Sequence, residues 1–164
     1  MKSLVVYYSM SGNCEMVAGK IAELIGADVL RIEPEKAFPD SGFRKFFWGG
    51  KSAIMGDTPV LKAYEFDASL YDTVVIGFPV WASRMAPPLK TFVADNIEAL
   101  KDKKISSFAC QGGSGADKAF SQLCGMLGRD SLDATLVLND PKSRNSSENE
   151  KTIEAFCDKI RWGN

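Results

Sequence analysis

Leu4-Val5-Val6-Tyr7-Tyr8-Ser9-Met10-Ser11-Gly12-Asn13-Cys14-Glu15 is the stretch that decides how this chain folds. Its first five residues are apolar on successive positions, the pattern of a strand covered on both faces. Ser9 to Asn13 then make a short loop of small hydroxyl residues and a glycine, and a helix is expected to start near Glu15 or Met16. A strand that passes through such a loop into a helix offers free backbone N–H groups and the positive end of a helix dipole to an anion. Ser9 and Ser11 can each donate to a phosphate oxygen, while Gly12 and Asn13 tolerate the positive φ that wraps the backbone around it. Because a hydrogen bond to a charged group contributes about 1.5–3 kcal/mol, a handful of them supplies most of the affinity for a dianion. Ser-x-Ser-Gly-Asn by itself is also a polar turn with a helix cap, and its place directly after the first strand favours the anion site. The chain has no G-x-G-x-x-G and no G-x-x-x-x-G-K-[ST], so a dinucleotide pyrophosphate and a nucleoside triphosphate are set aside.

Outward from this loop, short β-branched runs alternate with stretches of helical spacing, the signature of a parallel sheet with helices on both faces. The expected strands are Leu4 to Tyr8, Asp28 to Ile32, Thr73 to Phe78, Ile105 to Cys110 and Ala134 to Leu138. Between them Val17, Ile21, Leu24 and Ile25 fall on one helix face, Leu89, Phe92, Val93, Ile97 and Leu100 on a second, and Phe120, Leu123, Cys124 and Leu127 on a third. Ser147 with Glu150 three positions on has capping-box spacing and predicts a last helix that buries Ile153, Phe156, Cys157 and Ile160. The fold class that results is α/β, a doubly wound three-layer sandwich. The connection over 33–70 carries Pro34, Pro39, Gly42, Gly49, Gly50, Gly56 and Pro59 and is much longer than a crossover needs, so it is an elaborated link between the second and third strands. With no repeat and no linker, residues 1–164 are expected to form one domain.

The bulk composition narrows the function. Of 164 residues, 45% are hydrophobic and 25% charged, with 20 Lys and Arg against 21 Asp and Glu for a net charge of -1. No field of one sign is available to gather nucleic acid or an anionic membrane, and neither is expected as a partner. There is no histidine, which removes the commonest metal ligand and the commonest general base near neutral pH; no metal site is expected. Met1-Lys2-Ser3 leads straight into a run too short for a signal peptide or a membrane span, so the expected location is cytoplasmic. Cys14, Cys110, Cys124 and Cys157 lack C-x-x-C spacing and are expected to remain thiols there.

Tyr8-Ser9-Met10-Ser11-Gly12-Asn13-Cys14-Glu15 resembles the FMN-phosphate signature of flavodoxins, [ST]-x-[ST]-G-N-T, and the likeness extends along the chain in the order and spacing of elements. It implies a five-stranded parallel sheet of order 2-1-3-4-5 with FMN at the carboxyl ends of the strands, where the strand order reverses. Met10 lies within the implied phosphate loop. Gly77-Phe78-Pro79-Val80-Trp81-Ala82-Ser83-Arg84-Met85-Ala86-Pro87-Pro88 is similar to the pattern in which the family sets an aromatic against the flavin ring. Trp81 is thereby implied as the stacking partner, with Pro79, Val80 and Ala82 beside it; packing of Trp81 into the core is the alternative. Cys110-Gln111-Gly112-Gly113-Ser114-Gly115 matches in place the loop that meets the pyrimidine edge of the flavin through backbone N–H groups, and its glycines let the main chain come close. Cys14 stands where the family has threonine, which loses a hydroxyl donor. That change implies a weaker hold on FMN, a reactive low-pKa thiol, or a buried inert one.

Since a flavin carries its own redox chemistry, no catalytic side chain is assigned, and the protein sets the potential and the access. Two functions follow from the resemblance: electron transfer with a redox partner protein, and NAD(P)H oxidoreductase activity on a quinone-like or other small acceptor. The near-neutral charge, with Arg84, Asp117 and Lys118 in the ring loops, points to a less negative second one-electron potential than in strongly acidic carriers. No nicotinamide site is recognisable. Phe38-Pro39-Asp40-Ser41-Gly42-Phe43-Arg44-Lys45-Phe46-Phe47-Trp48-Gly49-Gly50-Lys51 reads as a lid, a docking surface, a homodimer contact, or a short amphipathic helix on the sheet.

Overall fold

The apolar run after Lys2 becomes β1 (Ser3–Tyr7), and all five of its residues are buried. The computed structural model describes residues 1–38 and 58–163. On one side β1 pairs in parallel with β2 (Asp28–Arg31), with Val5 opposite Val29; on the other it pairs with β3 (Thr73–Trp81), with Val5 opposite Val75. β3 carries β5 (Lys104–Gln111), and β5 carries β6 (Thr135–Asn139), both in parallel. The path is therefore β2-β1-β3-β5-β6, with β4 (Arg84–Met85) folded back antiparallel onto the end of β3. Counted among the parallel strands alone this is the expected order 2-1-3-4-5. The small sixth strand is an addition.

Helices cover both faces. On one, α1 (Asn13–Ile25) and α5 (Ser147–Trp162) pack Val17, Ile21, Ile153, Phe156 and Ile160 against Val5, Val75, Phe108 and Leu136. On the other, α2 (Pro87–Asp95) and α4 (Ala116–Leu127) pack Leu89, Phe92, Phe120 and Leu123 against Leu4, Val6, Val74 and Ile76. Alternate residues of each central strand serve opposite cores, so these strands read as unbroken apolar runs. Each fully buried aliphatic or aromatic side chain contributes about 1.5–3 kcal/mol, which makes the two cores the main source of stability.

Three local expectations are corrected. Helix α1 begins at Asn13 rather than near Glu15, because Gly12, at φ 93°, turns the chain straight into it. The stretch from Leu89 to Leu100 is two helices, α2 and α3 (Ile97–Leu100), split at Asn96. There the Asn96 side-chain amide donates to Phe92 O at 2.8 Å and to the Tyr64 hydroxyl at 2.9 Å, and its backbone leaves helical values at φ -120°. A short polar side chain that satisfies local backbone groups competes with the helix at such a point. The cap of α5 is Ser146, whose hydroxyl accepts from Asn149 N at 3.2 Å; Ser147 is already inside the helix.

The ends of the long connection pair with each other. Lys62 N donates to Glu33 O and Glu35 N to Val60 O, both at 2.8 Å, around an antiparallel bridge between Pro34 and Leu61. Apart from Phe38, the aromatic insertion expected over 38–51 lies outside the described residues.

Candidate functional site

Three loops meet at the carboxyl edge of the sheet, where the parallel neighbours β1 and β3 send the chain on to opposite sides of the sheet, to β2 and to β5, at the switch in strand order. The first is Tyr8 to Gly12. Ser9 is buried, and its hydroxyl oxygen accepts from Gly12 N at 3.1 Å, closing the loop on itself. Arg31 of β2 braces the outside: its guanidinium donates to Ser9 O at 3.3 Å while it pairs with Glu15 and Glu33, both at 2.9 Å. The first-turn N–H groups of α1 have no acceptor within the helix and point towards the loop.

The second loop is the turn between β3 and β4. Val80 pairs with Met85 and Trp81 with Arg84, and Ala82 (φ 49°) and Ser83 (φ 63°) turn between them. Two consecutive left-handed residues are what a two-residue hairpin needs, and for residues other than glycine, asparagine or aspartate that backbone is costly. The hairpin is held by Met85 N donating to Gln122 Oε1 at 2.9 Å and by Ala86 N donating to Pro79 O at 3.2 Å. Trp81 is half-buried and meets Tyr8 and Phe38 edge-on, with ring centres 5.9 and 5.2 Å away. It therefore packs against the core and lines the cleft at once. Burial pushes the Tyr8 phenol up to about 12, so it stays neutral where it packs on Trp81.

The third loop follows β5. Gln111 closes it as Ser9 closes the first: its side-chain oxygen accepts from Ala116 N at 3.0 Å, and its amide donates to Gly113 O at 3.1 Å. Gly115, at φ 106°, caps α4 with no room for a side chain, since a Cβ there would stand 2.8 Å from Ser83 Cα. The third loop is thereby packed against the second.

Between the loops lies a cleft of ≈ 220 Å³ lined by Ser9, Met10, Ser11, Asn13, Cys14, Pro79, Val80, Trp81, Ala82, Cys110, Gln111, Gly112 and Asp140. Every site residue expected from the sequence lines it except Gly12, Gly113 and Gly115. Gly12 and Gly115 are instead the left-handed caps that shape two of the loops, and Gly113 is exposed on the third. Cys14 and Cys110 are buried neighbours lining the cleft. Burial above all pushes the Cys14 thiol well above its usual range, which speaks against a reactive low-pKa thiol at this position.

Two residues of a fourth loop were not among those expected. Asp140, at φ 40°, lines the cleft just past β6. Two positions on, Lys142 N donates to Asn13 Oδ1 at 2.9 Å and its ammonium lies over Gly12. Asn139-Asp140-Pro141 marks a turn, and nothing in its spacing ties it to a loop that lies more than a hundred positions earlier in the chain. Among the described residues no cluster of His, Cys, Asp and Glu could hold a metal, and no helix is long and apolar enough to cross a membrane.

A parallel sheet with its switch point beneath a loop of hydroxyls and helix N–H groups defines a flavodoxin-like α/β protein. A flavodoxin family model matches residues 2–160, and the chain belongs to that family. Its fold is similar to that of a flavoprotein from Lactobacillus acidophilus NCFM solved in complex with FMN, at 26% identity and a TM-score of 0.69, covering 92% of this chain and 97% of that one. It is similar in fold to a protein of Bacteroides eggerthii DSM 20697, at 24% identity and a TM-score of 0.79, over 98% of each chain. Another likeness is to Megasphaera elsdenii flavodoxin in its two-electron reduced form, at 23% identity and a TM-score of 0.56, over 94% of this chain and 98% of that one.

Proposed function

We propose that this protein is a one-domain cytoplasmic flavoprotein that holds FMN non-covalently in the cleft and passes electrons through it. The observation that carries the reading is the cradle at the head of α1. Ser9 closes the loop, Gly12 turns the chain into the helix, and the first-turn N–H groups, which have no acceptor within the helix, stand beside the exposed Ser11 hydroxyl. Such a donor set fits a monophosphate. Family membership and the FMN complex of the Lactobacillus acidophilus relative agree with it.

In this reading Ser9, Ser11, Asn13 and the head of α1 hold the phosphate, with Met10 and Cys14 filling the wall behind it. Trp81, flanked by Pro79, Val80 and Ala82, offers the apolar face for the ring. Gln111, Gly112 and the main chain after Cys110 meet its polar edge. When bound, the flavin accepts and returns electrons singly or in pairs. The protein fixes its position, limits water and sets the local charge.

The donor and acceptor are a redox partner protein or a small molecule. Arg84 and Lys118 stand exposed around a shallow hollow beside the hairpin, and this cationic border favours the second reading, direct reduction by NAD(P)H with a small acceptor. Stopped-flow mixing of the FMN-loaded protein with NADPH decides between them. Rapid bleaching of the flavin selects the enzyme; bleaching only when a reductase is added selects the carrier.

A further inference from the structure

We infer that Lys142, from the loop after β6, is the cationic clamp for the flavin phosphate; this rests on the FMN reading above. Its placement has three parts. The ammonium lies 2.9 Å from the point where a Cβ on Gly12 would stand, and Cδ and Cε of the same side chain lie at 3.4 and 3.6 Å from it. The lysine therefore occupies the space above the phosphate loop that the glycine leaves open. Its own main chain is fixed to that loop, because Lys142 N donates to Asn13 Oδ1 at 2.9 Å. The turn that carries it is rigid: Asp140 O accepts from Ser143 N, Arg144 N and the Ser143 hydroxyl, at 3.1, 2.8 and 3.2 Å.

The charge balance points the same way. Lys142 forms no ion pair among the described residues, and it sits at the N-terminal end of α1, the positive end of the helix dipole. A cation there is repelled rather than stabilised. The acid that would ordinarily offset it, Glu15 in the first turn of α1, is engaged by Arg31 at 2.9 Å. Asp140 shares the turn with Lys142, but it is tied to the third loop, its N donating to Gln111 O at 3.0 Å and its carboxylate lying 4.0 Å from where a Cβ on Gly112 would stand. An anion seated on Ser9 to Asn13 would lie among the helix N–H groups, the serine hydroxyls and this ammonium, and would convert the repulsion into attraction. The phosphate dianion of FMN meets that description, and riboflavin, which lacks it, does not.

The test compares Lys142→Met with the wild-type chain, titrating each apoprotein with FMN and with riboflavin and following the quenching of flavin fluorescence at low and high salt. One charge-assisted contact at the weak end of its range corresponds to about tenfold in affinity. FMN should bind the variant about tenfold more weakly at low salt and with a smaller deficit at high salt, where the ion pair is screened. Riboflavin affinity should change by less than about twofold, and Lys142→Arg should keep most of the FMN affinity. The apo Lys142→Met protein should melt no lower than the wild type, since the lysine is exposed and repelled. Unchanged FMN affinity overturns the assignment, and so does an equal loss for both flavins. If the wild-type protein binds neither flavin, the FMN reading fails, and the clamp fails with it.

Discussion

The loops after β1 and after β5 are built alike and serve different ends. Each leaves a buried strand, each is closed by the side chain of a polar residue, Ser9 or Gln111, and each enters its helix through a left-handed glycine, Gly12 at φ 93° or Gly115 at φ 106°. What stands over the glycine separates them. Above Gly12 is the free end of a flexible lysine; against Gly115 is the backbone of Ser83. The first loop is thus covered at its glycine only by a side chain that can move, whereas the third is spent holding the hairpin that carries Trp81. The same strand–loop–helix unit makes a binding cradle or a structural joint according to whether a neighbouring main chain fills it.

Alanine at the two glycines should break the symmetry most visibly. Gly115→Ala meets both the left-handed backbone and Ser83 Cα at 2.8 Å, and should lose about 3 kcal/mol or more in urea unfolding. Gly12→Ala meets the same backbone cost but only a side chain that can swing away, and should lose about 1–2 kcal/mol. Equal losses would remove the distinction between the loops.

A smaller effect separates the ring end from the phosphate end in binding. Trp81→Ala should weaken FMN and riboflavin alike, each by about 1–2 kcal/mol in a fluorescence titration, because it removes stacking area that both ligands share. Ser9→Ala should cost FMN about 1 kcal/mol and riboflavin almost nothing, since it frees the Gly12 N–H and loosens only the cradle. Gln111→Ala should instead lower stability by about 1 kcal/mol by releasing Ala116 N at the joint.

The smallest effect is a pH dependence that belongs to the core beneath the loops. Burial pushes the Cys157 thiol of α5 up to about 11 and holds the Cys14 thiol well above its usual range. A raised folded-state pKa means that the folded form keeps its proton when the unfolded form has lost it. The stabilisation is complete below pH 9 and declines as pH rises through 11. Thermal melts should show that decline, and Cys157→Ala should make it shallower between pH 9 and 11, leaving the part that belongs to Cys14 and Tyr8.

Much of this was legible in advance where residue type and position coincide. Val5, Val6, Val74, Val75 and Ile76 announce strands buried on both faces, and Ser9, Ser11 and Gly12 announce the cradle. The hairpin at Ala82 and Ser83 was hidden because neither residue favours the left-handed backbone it adopts; Gln122 and the packing on Gly115 impose it. The break at Asn96 was hidden because the apolar spacing runs on through it, and its cause is a side chain reaching back to Phe92 O. The role of Lys142 was hidden because a lysine in a polar turn carries no sign of the loop it covers. Sequence periodicity registers what lies along one element, and loop-to-loop contacts between distant segments leave no trace in it.

Calorimetric titration of the wild-type apoprotein with FMN and with riboflavin isolates what the cradle contributes through the phosphate. FMN should bind at least about a hundredfold more tightly, the equivalent of about two charge-assisted hydrogen bonds at the cradle. Equal affinities for the two flavins would contradict it.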